Sequence, residues 1–298
     1  MTGSFASLRM TGEAWHAAHR AAIVVEVVAT RGSAPRDGGT RMLVAADATV
    51  GTIGGGHLEL KAIAAARAML ERADRTAHEQ HFALGPSLGQ CCGGSVTLRF
   101  APLDAAALER WPETTPLFHL QLHGAGHVGR AIATLLATLD VEVDWFDERD
   151  EEFPTTTRLG SPWPARIRRI SADTIEAEVR HAPPGAYFLV LTHEHALDLR
   201  ITEAILRRGD FAFCGLIGSK TKRAKFARRL EERGIAVESI ARMTCPIGLA
   251  GIVGKEPEVI AAGVVAQLLV ESSHGLRTMR PDEATAARLD PAAAPRRR

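Results

Sequence analysis

The stretch Leu117 to Asp147, LFHLQLHGAGHVGRAIATLLATLDVEVDWFD, constrains the fold of this chain more than any other. An apolar run, Leu117 to Leu122, leads straight into Gly124-Ala125-Gly126-His127-Val128-Gly129. Ala131, Ile132, Leu135, Leu136 and Leu139 then recur at helical spacing and gather on one face. Val141, Val143 and Trp145 alternate as a second strand that ends on Asp147. Strand, glycine loop, helix and strand in this order predict a βαβ unit whose three glycines have separate tasks. Gly124 makes the tight turn, Gly126 lets backbone approach a phosphate, and Gly129 lets the helix pack on the strand. The amides at the helix N-terminus then face an anion. Asp147 lies 21 residues after Gly126, where an acid accepts hydrogen bonds from ribose hydroxyls.

A length of 298 residues suits two domains of ordinary size, and 46% hydrophobic content is enough to fill their cores. The charges nearly cancel, 36 basic residues against 35 acidic, so neither nucleic acid nor an anionic membrane is an expected partner. No leader pattern is found, and no apolar run reaches the roughly 20 residues of a spanning helix, so the expectation is a soluble, cytoplasmic protein. Cys91, Cys92, Cys214 and Cys245 show neither a CxxC pair nor zinc spacing, and are expected as free thiols.

In the first half, Arg9 to Arg20 reads as a helix and Ile23 to Thr30 as a buried strand. The glycine-rich loop that follows has Arg31, Arg36 and Arg41 in or beside it, a cluster suited to an anion. Met42 to Ala45 is a strand, and Val50 to Ile53 leads into Gly54-Gly55-Gly56-His57 and a helix, Leu58 to Arg72. This is a second glycine-rich helix entrance and a second candidate anion site. His57 caps that helix or contacts a ligand, and Glu59 suits the dipole of its first turn. A strand from His78 to Leu84 runs into GPSLGQCCGG, and Ser95 to Phe100 is another strand. Glycines on both sides expose Cys91 and Cys92, where a thiolate serves as soft ligand or nucleophile. Pro102 to Pro116 reads as a connector with a short Ala-rich helix.

In the second half, Ala186 to Leu191 is a strand ending in Thr192-His193-Glu194-His195, with Asp198 three residues on. Strand ends are where doubly wound sheets place ligands, so His193, His195 and Asp198 are either a divalent-metal set or a ligand-contacting or proton-relay loop. Phe211 to Ile217 is a further strand, with Cys214 inside it as a small buried hydrophobe. Gly218-Ser219-Lys220 opens a basic helix, Thr221 to Arg233, stopped by Gly234. Ser219, Lys220 and Arg223 at that entrance are placed to hold an anion. Met243 to Leu249 ends another βα crossing, and Pro257 opens an apolar helix, Glu258 to about His274, with Gly275 as its cap.

The expected fold is therefore α/β: a smaller N-terminal α/β domain over residues 1–105 carrying the Cys-Cys loop, a connector over 106–116, and a C-terminal Rossmann-like parallel-sheet domain over 117–279. The tail over 280–298, rich in Ala, Pro and Arg, has too little to bury and is expected to be disordered.

Seven segments in one order resemble the XdhC/CoxI family: GSAPRDGGTRMLV (Gly32 to Val44), GTIGGGHLE (Gly51 to Glu59), LGPSLGQCCGGSVTL (Leu84 to Leu98), HGAGHVGRA (His123 to Ala131), THEHALDL (Thr192 to Leu199), CGLIGSKTKR (Cys214 to Arg223) and CPIGLAGIVGKEPEVIA (Cys245 to Ala261). The resemblance implies a carrier without turnover of its own. Members of that family bind the molybdenum cofactor, a phosphorylated pterin dithiolene (molybdopterin) carrying molybdenum. They hold it while a partner cysteine desulfurase supplies sulfide, and deliver it to apo xanthine dehydrogenase; a homodimer is expected. The residue inventory fits that role, with no catalytic residue among them. Cys91 and Cys92 offer thiolates to molybdenum, and Arg36 suits the anionic pterin tail beside Gly55 and His57. Gly124, Gly126 and Gly129, or the Ser219-Lys220 entrance, suit a phosphate of the cofactor or of a nucleotide, with Asp147 placed for the ribose hydroxyls of the latter. In one place the sequence departs from the family: Ala250-Gly251 follow Gly248-Leu249 where many relatives carry an Asp.

The rival reading is an NAD(P)-dependent oxidoreductase using the GAGHVG loop with Asp147. Against it, the only tyrosine, Tyr187, falls within a predicted strand, and hydride transfer has no need of the double cysteine. A third reading, metal-dependent hydrolysis, rests on His193, His195 and Asp198.

Overall fold

In a computed structural model of the protein, which describes residues 5–84, 94–111, 115–157 and 160–278, the chain divides into two units, Met1–Thr115 and Pro116–Arg298. The first unit contains, in chain order, α1 (Phe5–Ala17), β1 (Ala22–Arg31), β2 (Arg41–Ala45), β3 (Thr49–Gly51), α2 (Gly56–Glu71), β4 (His78–Ala83), β5 (Ser95–Pro102) and α3 (Ala105–Glu109). Its strands form one antiparallel sheet in the order β3-β2-β1-β5-β4. The period of two along β1 turns Ile23, Val25 and Val27 toward Leu58, Ala62, Ala66 and Met69 of α2. Ala22 and Val24 face the other way, into a smaller core with Leu8 of α1 and Ala107 of α3. Burial on both faces is why Ala22 to Val25 reads as an unbroken apolar run.

Two expectations are corrected here. The first helix ends at Ala17 rather than Arg20, because the amide of Arg20 folds back onto the carbonyl of Trp15 at 2.8 Å with His19 left-handed at φ 51°. The stretch read as a connector from residue 106 is part of the first unit as far as Trp111. Ala107 and Trp111 are buried in the smaller core, and Asp104 caps α3 by accepting from the amide of Ala107 at 2.7 Å.

The second unit contains β6 (His119–His123), α4 (His127–Leu136), β7 (Glu142–Asp147), β8 (Ile167–Ser171), α5 (Ile175–Glu178), β9 (Tyr187–Val190), α6 (His195–Arg208), β10 (Phe213–Leu216), α7 (Lys220–Glu232), α8 (Val237–Ala241), β11 (Met243–Thr244) and α9 (Pro257–Thr278). Its strands run parallel in the order β11-β10-β9-β6-β7-β8. Ile132 and Leu136 of α4 share a core with Val264 and Leu268 of α9. Leu197, Ile201 and Ile205 of α6 share another with Phe226 and Leu230 of α7. Because the sheet is covered on both sides, β9 is buried at all four positions. The thiol of Cys214, wholly enclosed in β10, is pushed up to about 12 by burial.

α9 continues through Gly275 to Thr278, so that glycine is not the cap it was expected to be; a single glycine within a helix costs only about 1 kcal/mol and need not end it. The tail expected over 280–298 lies outside the described residues. Among the described residues, no helix is long and apolar enough to cross a membrane.

Candidate functional site

In the first unit, antiparallel pairing brings the connections 32–40 after β1 and 52–55 after β3 out at one end of the sheet, together with Leu84 after β4 and Gly94 before β5. Cys91 and Cys92 lie outside the described residues, within 85–93, but the residues on either side are pinned. The amide of Leu84 donates to the carbonyl of Gly94 at 2.8 Å. A Cβ on Gly94 would stand 2.4 Å from the carbonyl oxygen of Ser33 and 2.5 Å from that of Arg31. Only glycine lets β5 begin this close to the arginine loop.

The arginine loop in turn packs on the triple glycine. Gly54, at φ 124°, has room for no Cβ, which would meet Pro35 at 2.6 Å. Exposed Arg36 and His57 and the open backbone at Gly55, where a Cβ would meet nothing within 4 Å, therefore share one end of the sheet with Leu84 and Gly94. His57 does not cap α2; the cap position is Gly55.

Two residues turn inward. Glu59 accepts from the hydroxyl of Thr52 at 2.5 Å and from the amides of Ile53 and Gly55 at 3.0 Å each. The second glycine entrance thus carries its own anion, and these amides are already spent. Arg41, expected beside Arg31 and Arg36, is buried instead: it pairs with Glu26 at 2.5 Å and lies over the Trp111 ring.

In the second unit the order in which strands are added reverses between β6 and β9, and the loops after these two strands flank the switch point. Two of the glycines are required by neighbouring backbone and the third is open. Gly124 takes φ 123° and would place a Cβ 2.3 Å from the carbonyl of Leu191; a Cβ on Gly129 would fall 2.0 Å from the carbonyl of Gly124. At Gly126, which caps α4, a Cβ would meet nothing within 4 Å, so the approach to the helix amides is open.

Asp147 is differently employed. One carboxylate oxygen accepts from the amide of Ala125 at 2.7 Å and from Arg149 Nη2 at 3.2 Å; the other accepts from the amide and Nε of Arg149 at 3.1 and 3.0 Å. Four donors use the roughly four lone-pair positions of a carboxylate. Burial raises the carboxyl, yet the hydrogen bonds from the Arg149 side chain and the two amides outweigh it, and Asp147 sits below the usual carboxylate range. A ribose hydroxyl would have to displace one of these partners.

At the third strand end, His193 and His195 are exposed while Asp198 points into the fold, fully buried. Its oxygens accept from the amide and hydroxyl of Thr192 at 3.0 and 2.7 Å, and from Lys222 Nζ at 2.6 Å. The divalent-metal reading of this trio is thereby corrected. Among the described residues no group of three or more His, Cys, Asp or Glu side chains is placed to hold a metal.

Lys222 was missed in the sequence, where Ser219 and Lys220 drew attention. The available signal was Asp198 flanked by Leu197 and Leu199, a charge on the buried side of a helix that requires a partner. Ser219 caps α7 by accepting from the amide of Lys222 at 3.2 Å, and Lys220 is exposed beside it. Cys245, after β11, is buried with its thiol raised by burial, and stands 3.8 Å from the carbonyl of Ser219.

An antiparallel unit with a loop-borne polar end, followed by a parallel sheet with a glycine loop at its switch point, defines a two-domain α/β protein with a Rossmann-type second domain. The chain matches the XdhC Rossmann domain over residues 120–268 and the XdhC and CoxI family over residues 15–81. It belongs to the XdhC/CoxI family. It is 33% identical over 257 residues to the uncharacterized protein YqeB of Escherichia coli (strain K12), covering 83% of this chain but only 42% of that longer protein. It also resembles a crystal structure from Bacillus halodurans described as a xanthine dehydrogenase, with TM-score 0.72, 18% sequence identity, and 94% and 98% of the two chains covered. At that identity the likeness concerns the fold.

Proposed function

We propose that this chain is a maturation carrier: it holds the molybdenum cofactor while sulfide from a cysteine desulfurase replaces an oxo ligand, and hands it to apo xanthine dehydrogenase. The observation that carries this reading is the convergence of the arginine loop, the triple glycine and the residues Leu84 and Gly94 that flank the two cysteines in sequence, all at one end of the first unit's sheet. The donor set fits such a cargo. A thiolate from Cys91 or Cys92 suits soft molybdenum, Arg36 suits the anionic pterin tail, and Gly55 and His57 leave open backbone and an imidazole beside it. The cargo supplies the redox chemistry of the enzyme that receives it; this chain's groups bind, orient and shield.

In the second unit, Gly124, Gly126 and Gly129 with the helix amides, and Ser219 with Lys220, are seats for a phosphate, either of the same cofactor or of a nucleotide. Asp147 shapes that glycine loop through the Ala125 amide. Its filled set of partners weighs against an NAD(P)-dependent oxidoreductase, which needs such an acid free for ribose. The carrier works in the cytoplasm as a homodimer.

Delivery is tested by reactivation. Apo xanthine dehydrogenase mixed with cofactor-loaded carrier should regain several-fold more activity than with the same amount of free cofactor held in buffer for the same time. Equal recovery from both would remove the carrier role.

A further inference from the structure

Along the first part of β1, odd-numbered residues face α2: Ile23, Val25 and Val27 all lie in that core. If the strand kept its period of two, Ala29 and Arg31 would follow them inward. They do not, because the pairing with β5 slips between Val27 and Ala29: Val27 stands opposite Leu98, but Ala29 stands opposite Thr97 and Arg31 opposite Ser95. Leu98 and Val96 belong to the core and Thr97 and Ser95 do not, so the extra residue, Val28, turns Arg31 to the opposite face of the sheet.

On that face β4 brings His81 opposite Thr97, with His81 Nδ1 at 3.3 Å from the Thr97 hydroxyl. Ala29, Thr30, Arg31, His81, Ser95 and Thr97 line a hollow of about 320 Å³. Among the described residues no carboxylate pairs with Arg31, and no acid lines the hollow.

We infer that this hollow is a binding site for the phosphate of a small phosphate monoester, with the Arg31 guanidinium as its cationic anchor and the hydroxyls of Ser95 and Thr97 and the imidazole of His81 as donors. The chemistry is that of an oxyanion site. A planar fork of N–H donors matches two phosphate oxygens, and neutral donors on neighbouring strands take the rest. The volume exceeds what phosphate alone needs and leaves room for the group it is attached to. A bulge that re-aims a charged side chain costs ladder hydrogen bonding and is the kind of irregularity found beside functional sites. Within the carrier reading, and resting on it, the phosphate is that of the pterin cargo; the phosphate site itself does not depend on that reading.

The test is calorimetric titration of the full chain, at low ionic strength, with inorganic phosphate and separately with phenyl phosphate. Wild type should bind saturably, Arg31→Gln at least about tenfold more weakly, and Arg31→Lys in between because a point charge replaces the fork. Lys61→Gln, exposed on α2 on the other face of the sheet, should bind as wild type does. Tighter binding of phenyl phosphate assigns the site to monoesters, and equal binding to free phosphate; the site stands in both cases. Because Arg31 is exposed and pairs with no acid among the described residues, the melting temperature of Arg31→Gln should match wild type, which separates lost binding from lost folding. No saturation by wild type, or unchanged affinity in Arg31→Gln, overturns the assignment. Phosphate binding that needs Arg31 in a chain that retains no molybdenum cofactor would keep the site and discard the carrier.

Discussion

Asp198→Ala is expected to cost the second unit about 3–5 kcal/mol, the usual effect of removing one partner of a buried ion pair. For a unit of this size that is a fall of roughly 6–20 °C in melting temperature. The side chains of Asp198 and Lys222 are 1% and 12% exposed. Without the carboxylate, the Lys222 ammonium would keep the carbonyl of Ile217, at 2.9 Å, and the face of the Phe226 ring, and the amide and hydroxyl of Thr192 would lose their acceptor. The pair ties the loop after β9 to the loop after β10, so the damage falls on the ligand-facing edge of the sheet. Scanning calorimetry checks this. The double variant Asp198→Leu with Lys222→Met should recover much of the loss, because two matched apolar groups leave no charge stranded. A melting temperature for Asp198→Ala within about 2 °C of wild type would show that the pair does not hold these loops.

His123→Leu should make the second unit more resistant to mild acid. The His123 ring is fully buried, stacked on Phe146 at 5.2 Å and Phe188 at 6.5 Å, and among the described residues neither nitrogen has a hydrogen-bond partner. Burial pushes its pKa down to about 3 from 6.5, against the weaker pull of Asp144 in the other direction. The sign follows from which state takes the proton. Below pH 6.5 the unfolded chain protonates this histidine and the folded chain does not, so stability is full above pH 6.5 and is lost as pH falls toward 3. Between pH 6.5 and 5 that loss amounts to about 2 kcal/mol. Asp144 and Asp147, whose pKa values are lowered from 3.8, contribute stability that is lost only at lower pH, as their carboxylates take up protons. Urea unfolding at pH 7.5 and pH 5 should therefore show a clear fall in midpoint for wild type and a much smaller one for His123→Leu. Parallel falls in the two proteins would mean that His123 finds a partner, and a proton, in the folded state.

Much of this fold was legible because hydrophobic period and glycine spacing carry it. The β6-α4-β7 unit follows from one strand, one loop and one amphipathic helix, and the separate tasks of Gly124 and Gly129 are visible in which backbone atoms a Cβ would strike. What escaped was set by tertiary partners. β8, IRRIS, is an edge strand with two exposed arginines and shows no apolar run. The connector reading failed because three prolines obscured two apolar positions, Ala107 and Trp111, that join the first unit's core.

At the candidate sites, residue types were easier to read than orientation. Asp147 was found by its place at a strand end, but its engagement by Ala125 and Arg149 depends on a loop that approaches only in the folded chain. Arg31 and Arg41 are equivalent in sequence, ten residues apart around one loop. A slipped register on one side and Glu26 on the other send them to different environments.

The decisive measurement is molybdenum retained after gel filtration, when the purified protein is mixed with anaerobically released molybdenum cofactor and wild type is compared with Cys91→Ser and Cys92→Ser. Molybdenum co-eluting with wild type and lost in at least one serine variant is the predicted result, and names the thiol. No molybdenum with wild type, together with tight NAD(P) binding, would contradict the carrier and favour an oxidoreductase.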